Sequence, residues 1–304
     1  MIVINKFGGG VINGAIPIKH LFEIFKSYSP DDYSVNVFSA FGKTTNKLEK
    51  IVNNYIKAET IEGKKLLDEL KFFHIEIAQE LFPKNHTIFF IIEDIFQKIQ
   101  HTLSIIGQHK NAAYIYDQIV PFGEILASQI VSEYFSYIGI SNKLIHATDF
   151  LKTDSNFNSA NVDKKATFEN LKVYMGEGIL SLYKNIITQG FIGFSDKGMT
   201  TLGREGSDYT AGLLGNLLNA NKVILWKDVP GVMDKDPKLS GNENAKKINF
   251  LTYDNLDDLL QTATSGLVHP KIVHPKTINE VKEKRISLQV RSFWDLNSEG
   301  TLIS

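Results

Sequence analysis

Lys6 closes a short apolar run and is followed by Gly8, Gly9 and Gly10, while Arg204 stands between Gly203 and Gly206, just ahead of Ser207 and Asp208. Glycine lets a backbone approach a ligand closely, and a lysine beside such a turn makes sense where a negatively charged group is transferred. Around Arg204 the chain reads as a strand from Phe191 to Phe194, a long polar turn, and a helix entered at Ser207-Asp208, whose side chains can accept hydrogen bonds from first-turn amides. A strand, a glycine-flanked arginine and a helix N-terminus make an anion site, because unpaired N–H groups and the helix dipole converge on one spot. The anion can be a phosphate or a carboxylate. An ordinary βα turn, with Ser-Asp serving only as a cap, accounts for the same residues and stays open at this point.

Two better-known phosphate motifs fail. Gly193 to Thr200 carries the glycines and the threonine of GxxxxGK[ST], but Met199 occupies the place of the essential lysine. Gly8-Gly9-Gly10-Val11-Ile12-Asn13 starts as a dinucleotide fingerprint and has asparagine where the third glycine belongs.

The 304 residues are 43% hydrophobic and 22% charged with a net charge of −1, the balance of a globular chain with ample core. That charge gives no reason to expect nucleic acid or an anionic membrane as partner, since each favours a basic surface. The absence of cysteine excludes disulfides, thiolate metal sites and a cysteine nucleophile. The N-terminus lacks the basic start and apolar length of a signal peptide, and no run approaches the roughly 18 apolar residues of a membrane span. A cytoplasmic protein is expected. His86, His101 and His109 are too widely spaced for a metal set, and His269 and His274 each sit beside a proline with no acidic partner, so no metal-ligating residue is expected.

The elements that must position the charged residues follow from periodicity. Ile2 to Phe7 and Tyr33 to Phe38 read as strands, the second running into Ser39, Thr44, Thr45 and Asn46 at the edge where open α/β sheets place ligands. Lys47 to Gly107 carries a helical pattern broken at Pro83. Glu124 opens a helix running to Tyr137; it suits the helix dipole and is also placed to hold an ammonium group. Leu144 to Ala147 reads as a strand, the polar run from Lys152 to Lys165 as a mobile loop and lid, and Asn185 to Phe194 as one strand. Gly212 and Gly215 let the helix after Asp208 lie close to a sheet. Lys222 to Trp226 reads as a central strand ending in a turn at Lys227 to Val232, Leu256 to Ala263 as a helix, and Ile286 to Phe293 as the last strand. Strands alternating with helices argue for an α/β fold with a mainly parallel sheet covered on both faces.

Lys6-Phe7-Gly8-Gly9, Ser39-Ala40, Gly123-Glu124, Gln189-Gly190-Phe191-Ile192-Gly193, Thr201-Leu202-Gly203-Arg204, Gly206-Ser207-Asp208, Asp228-Val229-Pro230-Gly231, Asp236-Pro237 and Lys271 with His274-Pro275 follow one another along the chain. In that order they resemble the catalytic domain of the aspartate kinases, in the amino acid kinase superfamily, over nearly the whole length. The resemblance implies a three-layer α/β/α sandwich in one domain, 1–304, with an aspartate-binding lobe to about residue 185 and a nucleotide-binding lobe from about 186 to 304. It implies phosphorylation of the L-aspartate side-chain carboxylate by ATP to 4-phospho-L-aspartate, a first step toward lysine, threonine and methionine. Mg²⁺ would be held mainly by phosphates and water. The family's regulatory ACT domains would begin where this sequence stops, so feedback through them is not expected, and a homodimer would form through the catalytic domain.

By the same resemblance Lys6 would sit on the transferring phosphate and Asp208 would orient it. Arg204 would grip the α-carboxylate, Glu124 would pair with the α-ammonium, and Ser39, Thr45 and Ser207 would complete the substrate pocket. Gly8, Gly9, Gly10, Lys227, Asp228, Met233, Lys238 and Lys271 would form the nucleotide side. The chain departs from the family pattern at Gly10 and Val11 (threonine and serine), Glu205 (glycine), Lys227 (threonine), Met233 (tyrosine), Lys238 (arginine), and His269-Pro270 (Gly-Ala). These departures leave two other readings open: an amino-acid- or nucleotide-binding sensor or partner subunit, and a kinase of this fold for another small carboxylate.

Overall fold

The run Ile2-Val3-Ile4-Asn5-Lys6-Phe7 is apolar on both faces except at Asn5 and Lys6, the pattern of a strand buried between two helical layers. In the computed structural model, which describes residues 1–29, 31–106, 109–235, 244–263 and 273–304, it forms inner strand β1 (Ile2–Phe7). Helix α1 (Ala15–Lys26) crosses to β2 (Tyr33–Phe38), parallel to β1 with Lys6 beside Val37. The long helical pattern resolves into α2 (Thr44–Ile56), α3 (Thr60–Leu81) and α4 (Ile88–Ile106), followed by α5 (Ala112–Ile119) and α6 (Phe122–Tyr137). Then come β3 (Asn142–Leu144), α7 (Ala147–Phe150), α8 (Lys164–Tyr174), α9 (Glu177–Leu182) and β4 (Asn185–Gln189). Strands β5 (Ile192–Ser195) and β6 (Gly198–Thr201) precede α10 (Gly206–Leu217) and β7 (Lys222–Lys227). The described chain ends with β8 (Phe250–Leu251), α11 (Tyr253–Ala263), α12 (Pro275–Glu283), β9 (Ser287–Ser292) and β10 (Thr301–Ile303).

Eight strands form one sheet in the order β3-β4-β2-β1-β7-β9-β10-β8, parallel throughout except where β9 meets β10. One face, bearing Val3, Phe7, Phe38, Ile224 and Trp226, packs on α1 to α6. The other, bearing Ile4, Val35, Val37, Val223 and Leu225, packs on α7, α8 and α10 to α12. This is the expected three-layer α/β/α sandwich. The chain leaves β1 for β2 on one side and later returns to β7 on the other, so the loops after β1, β2 and β7 meet at one carboxyl edge, a switch point where α/β sheets hold ligands.

Several local expectations need correction. Asn185 to Phe194 is not one strand: it ends at Gln189, turns at Gly190 and Phe191 (φ 69°), and re-enters a separate hairpin of β5 and β6. The polar turn after Phe194 is therefore largely β6. The strand at Leu144 ends there, and Ala147 starts a short helix. Phe293 does not end the sheet, since β10 and β8 extend it. The polar run 152–165 is tied down: Thr153 pairs with Val162, Asp154 accepts from the amides of Asn156 and Asn161, and the Ala160 amide donates to the Thr201 carbonyl. Of the two small residues expected against the sheet, Gly215 meets Val223 of β7, whereas Gly212 faces Thr277 of α12.

A buried polar chain crosses the sheet next to Lys6. Asn5 Oδ1 accepts from Tyr28 Oη (2.6 Å) and Trp226 Nε1 (3.0 Å), and Asn5 Nδ2 donates to Asn36 Oδ1 (2.9 Å). Asn36 Nδ2 donates to Ser34 Oγ, which donates to Asn185 Oδ1. Every strand from β7 to β4 thus contributes at least one member, and the pairing allows a single register. Asn5→Leu strands the Tyr28 and Trp226 donors and should lower stability by about 2–3 kcal/mol, read as a reduced urea midpoint at unchanged m-value.

Candidate active site

Side chains alternate along a strand, so Lys6 shares the face of Ile4, and Lys227 shares that of Val223 and Leu225. Both face α10. Asp208, in the first turn of that helix, receives them: Lys6 Nζ lies 2.6 Å from Oδ1 as an ion pair, and Lys227 Nζ donates to Oδ2 at 2.9 Å. Burial alone would push the Asp208 carboxyl up; Lys227 and Lys6 outweigh it and hold the group well below the usual carboxylate range. For Lys6, burial and the neighbouring Lys227 charge prevail over Asp208, and its pKa falls. For Lys227, burial also acts downward, but Asp208 prevails and its pKa rises.

These three side chains line a cavity of about 440 Å³ together with Gly8, Gly9, Gly10, Ser39, Glu205 and Asp228. The glycine turn has no room for side chains where it matters. A Cβ on Gly9 would stand 2.4 Å from the Ala40 carbonyl oxygen, and one on Gly8 would stand 3.0 Å from Lys6 Nζ. Position 10 faces open space, so glycine there is not forced by packing.

A second cavity of about 580 Å³ adjoins the first, sharing Ser39, Glu205 and Ser207 as common wall. It is lined also by Thr45, Asn46, Glu49, Tyr116, Glu124, Asn158 and Arg204. The exposed Arg204 guanidinium makes no hydrogen bond or ion pair among the described residues. Glu124, 3% exposed, accepts from the Ala40 amide through Oε1 (3.2 Å), while Oε2 is buried without a partner. Burial pushes its pKa up to about 8, against the smaller opposing pull of that amide and of Lys6. One cavity therefore holds a free cation and an unsatisfied carboxyl oxygen. The other holds two ammonium groups and a glycine turn.

Several residues on these walls gave no local signal in the sequence. Tyr116 donates to Glu49 Oε1 (2.9 Å), closing one side of the second cavity. Its neighbour Asp117 accepts from the Asn158 amide, the Thr201 amide and Thr201 Oγ1 at 2.7–2.9 Å, fastening the 152–165 segment and β6 to α5. Backbone strain gathers here as well. Of six non-glycine residues with positive φ among those described, Asn158, Phe191 and Glu205 line this cavity. Helix α10 is entered through Glu205 (φ 55°) with no side-chain cap, so Ser207 and Asp208 lie inside its first turn and their side chains line cavities instead of capping. Gly190 permits this, since a Cβ there would fall 2.5 Å from Ser207 Cβ.

Of the residues expected at the site, Lys6, Asp208, Gly8, Gly9, Gly10, Lys227 and Asp228 are brought to one cavity, Thr45, Glu124 and Arg204 to the other, and Ser39 and Ser207 to both. Met233 lines neither and pairs with Lys247 in an isolated bridge. Lys238 and Lys271 lie outside the described residues.

Residues 1–292 match the sequence model of the amino acid kinase family. The chain belongs to that family. Among its relatives, Aspartokinase 2, chloroplastic, of Arabidopsis thaliana is 28% identical over 99% of this chain and 54% of its own length. Lysine-sensitive aspartokinase 3 of Escherichia coli K12 is 28% identical over 99% and 64% respectively. A crystal structure of E. coli aspartokinase III in complex with aspartate and ADP superposes with a TM-score of 0.85 at 28% identity, covering all of this chain and 64% of that one. The chain thus spans about half to two thirds of the length of these relatives. No helix among the described residues is long and apolar enough to cross a membrane.

In this family member the Lys6–Asp208–Lys227 cluster is also a stability element. Asp208→Asn leaves two buried ammonium groups facing a neutral amide and should cost about 3–5 kcal/mol in urea unfolding at neutral pH. Because the folded-state pKa of Asp208 is depressed, the difference from wild type should be full above the ordinary carboxylate pKa and should shrink as pH falls below it toward the depressed folded-state value.

Proposed function

We propose that the chain transfers the γ-phosphoryl group of MgATP to the side-chain carboxylate of L-aspartate, giving 4-phospho-L-aspartate and ADP. One observation carries this reading: a cavity with an unpaired arginine and an orphaned glutamate oxygen shares a wall with a cavity built of lysines and a glycine turn. The first fits an amino acid. Its α-carboxylate would take both prongs of Arg204 and its ammonium would meet Glu124 Oε2, which directs the side-chain carboxylate past Ser39 and Ser207 toward Lys6.

The acceptor needs no general base, since a carboxylate with an ordinary pKa of about 3.9 is already ionised at neutral pH. Its oxygen forms a bond to the γ-phosphorus as the bond from that phosphorus to the β,γ-bridging oxygen breaks, and ADP departs with the electron pair. The protein's part is to hold two anions together and to stabilise charge on the moving group. Lys6, Lys227 and the glycine-turn amides would do so from one side, with Asp208 fixing both lysines. Mg²⁺ on the phosphates supplies further positive charge, and Asp228 and Glu205 are the wall carboxylates suited to its hydration shell. Met233, Lys238 and Lys271 belong to the nucleotide side of this reading by family resemblance. The likeness of the fold to an aspartate- and ADP-bound relative supports the same choice of substrates.

Purified protein with MgATP should release ADP only when aspartate is added. Lys6→Met should lower kcat by about two to three orders of magnitude, and Arg204→Ala should raise the KM for aspartate about tenfold or more. Saturable aspartate binding with no ADP release would replace the kinase with a sensor. ADP release with another small carboxylate, and none with aspartate, would reassign the acceptor.

Glu124 adds a pH signature. With its pKa near 8 in the free protein, the group is largely protonated at neutral pH, whereas an incoming ammonium requires it ionised. Aspartate binding should therefore release a proton below that pH, tighten by up to about tenfold per pH unit as pH rises toward 8, and level off beyond it. Calorimetry across buffers of different ionisation enthalpy reads the proton directly. Glu124→Gln should weaken binding and flatten its pH dependence.

A further inference from the structure

A cavity of about 800 Å³ shares no lining residue with either of these and lies on the sheet face that carries Ile224 and Trp226. Its floor follows from register: Gln289 stands beside Ile224 and Leu302, and Arg291 beside Trp226, so these side chains share that face with Lys222. Lys247 and the segment 296–300 form the rim. Among the described residues lining it, three cations, Lys222, Lys247 and Arg291, face a single carboxylate, Glu299.

Hydrogen-bonding capacity is left over in this cavity. Arg291 donates through Nη2 to the carbonyls of Leu296 (2.8 Å) and Ser298 (3.3 Å), and its Nε is buried without a partner. Gln289, 8% exposed, donates through Nε2 to the Glu299 carbonyl, leaving Oε1 buried and unmet. A native fold seldom strands a donor and an acceptor side by side. The surplus positive charge asks for an anion, and the glutamine oxygen asks for an N–H. A simple anion answers only the first need, and a simple cation is repelled.

We propose that this cavity binds a small zwitterion of amino-acid size. Its carboxylate lies among Lys222, Lys247 and Arg291, and its ammonium group donates to Gln289 Oε1. The site is separate from the proposed substrate cavity and shares no lining residue with it.

The structure contains its own reporter. The Arg291 guanidinium lies 4.9 Å from the centroid of the Trp226 ring, so a ligand that draws on Arg291 changes the field at that indole. Trp294 is the one other tryptophan, and Trp294→Phe isolates the signal. In that background, without nucleotide, each proteinogenic amino acid and inorganic phosphate is titrated at millimolar concentrations while Trp226 fluorescence is followed. At least one amino acid should give a saturable change and bind more tightly than phosphate. Lys247→Ala, a rim change that leaves the core intact, and Gln289→Leu should each weaken it about fivefold to tenfold, whereas Arg204→Ala should leave it unaltered.

No saturable change with any amino acid overturns the proposal. So does a change that survives Lys247→Ala, or one that Arg204→Ala removes, which would assign the binding to the substrate cavity. Trp226 also lines the phosphate cavity, so phosphate binding as tightly as the best amino acid, and weakened like it by Lys247→Ala, would replace the zwitterion with a plain anion. None of these results touches the proposed kinase reaction, which ADP release reads separately.

Discussion

One carboxylate held between two ammonium groups is the constraint on which the rest of the structure depends. Asp208 is buried and would be costly to ionise alone, yet Lys6 and Lys227 approach its two oxygens from neighbouring strands. A single negative charge cannot neutralise both lysines. The cluster's own surplus positive charge opens into a cavity edged by a glycine turn, where Glu205 and Asp228 also stand. The two lysines respond differently to the same partner: Lys6, the more deeply desolvated, is pushed down, and Lys227 is held up. Asp208 itself is firmly anionic.

The fold fixes this cluster by geometry that leaves little freedom. Parity on β1 and β7 aims both lysines at one helical layer, and the absence of side chains at Gly190 and Gly215 lets α10 settle against the strand ends and the sheet. The glycines that matter most are therefore those behind the helix as much as those in the phosphate turn. On the opposite face of β1, Asn5 ties β1 to β2 and, through Trp226, to β7. Slipping either pairing by one residue would turn Lys6 or Lys227 away from Asp208 and break the polar chain at the same time. Register and charge geometry are set by adjacent residues of one strand.

Much of this was legible in the sequence because it rests on local pattern. Short runs rich in apolar and β-branched residues marked β1, β2 and β7, and the glycines near Lys6 and Arg204 marked the charged positions. What escaped depends on contacts far along the chain. Asp117 meets Thr201 across 84 positions, and nothing near it predicts the pairing. Phe191 takes a left-handed conformation that its residue type disfavours, since Thr210 Oγ1 accepts its amide and Ser207 crowds Gly190. The run 152–165 looked mobile by composition, but the side chains of Asp154, Asn156 and Asn161 are spent on hydrogen bonds within it. The two- and three-residue strands at one end of the sheet, β8 and β10, are too short to show alternation.

Glu205 is the least expected residue at the site, and it bears on how the nucleotide can enter. It adopts a conformation natural to glycine, stands on the wall common to both cavities, and raises the pKa of Lys6 and Lys227 through its charge. A carboxylate where two anions must meet opposes the proposed reaction unless something compensates it. Lys227 does so in part. Yet among the described residues the phosphate cavity sets Lys6 and Lys227 against Glu205, Asp208 and Asp228, an excess of one negative charge. The glycine amides add only partial positive charge. Beside those carboxylates a nucleoside triphosphate carrying a divalent cation meets less repulsion than a bare one, since much of its charge is already neutralised. In the proposed reaction a divalent metal would therefore ease nucleotide entry past Glu205, and the carboxylate beside Arg204 would favour the metal complex over the free nucleotide.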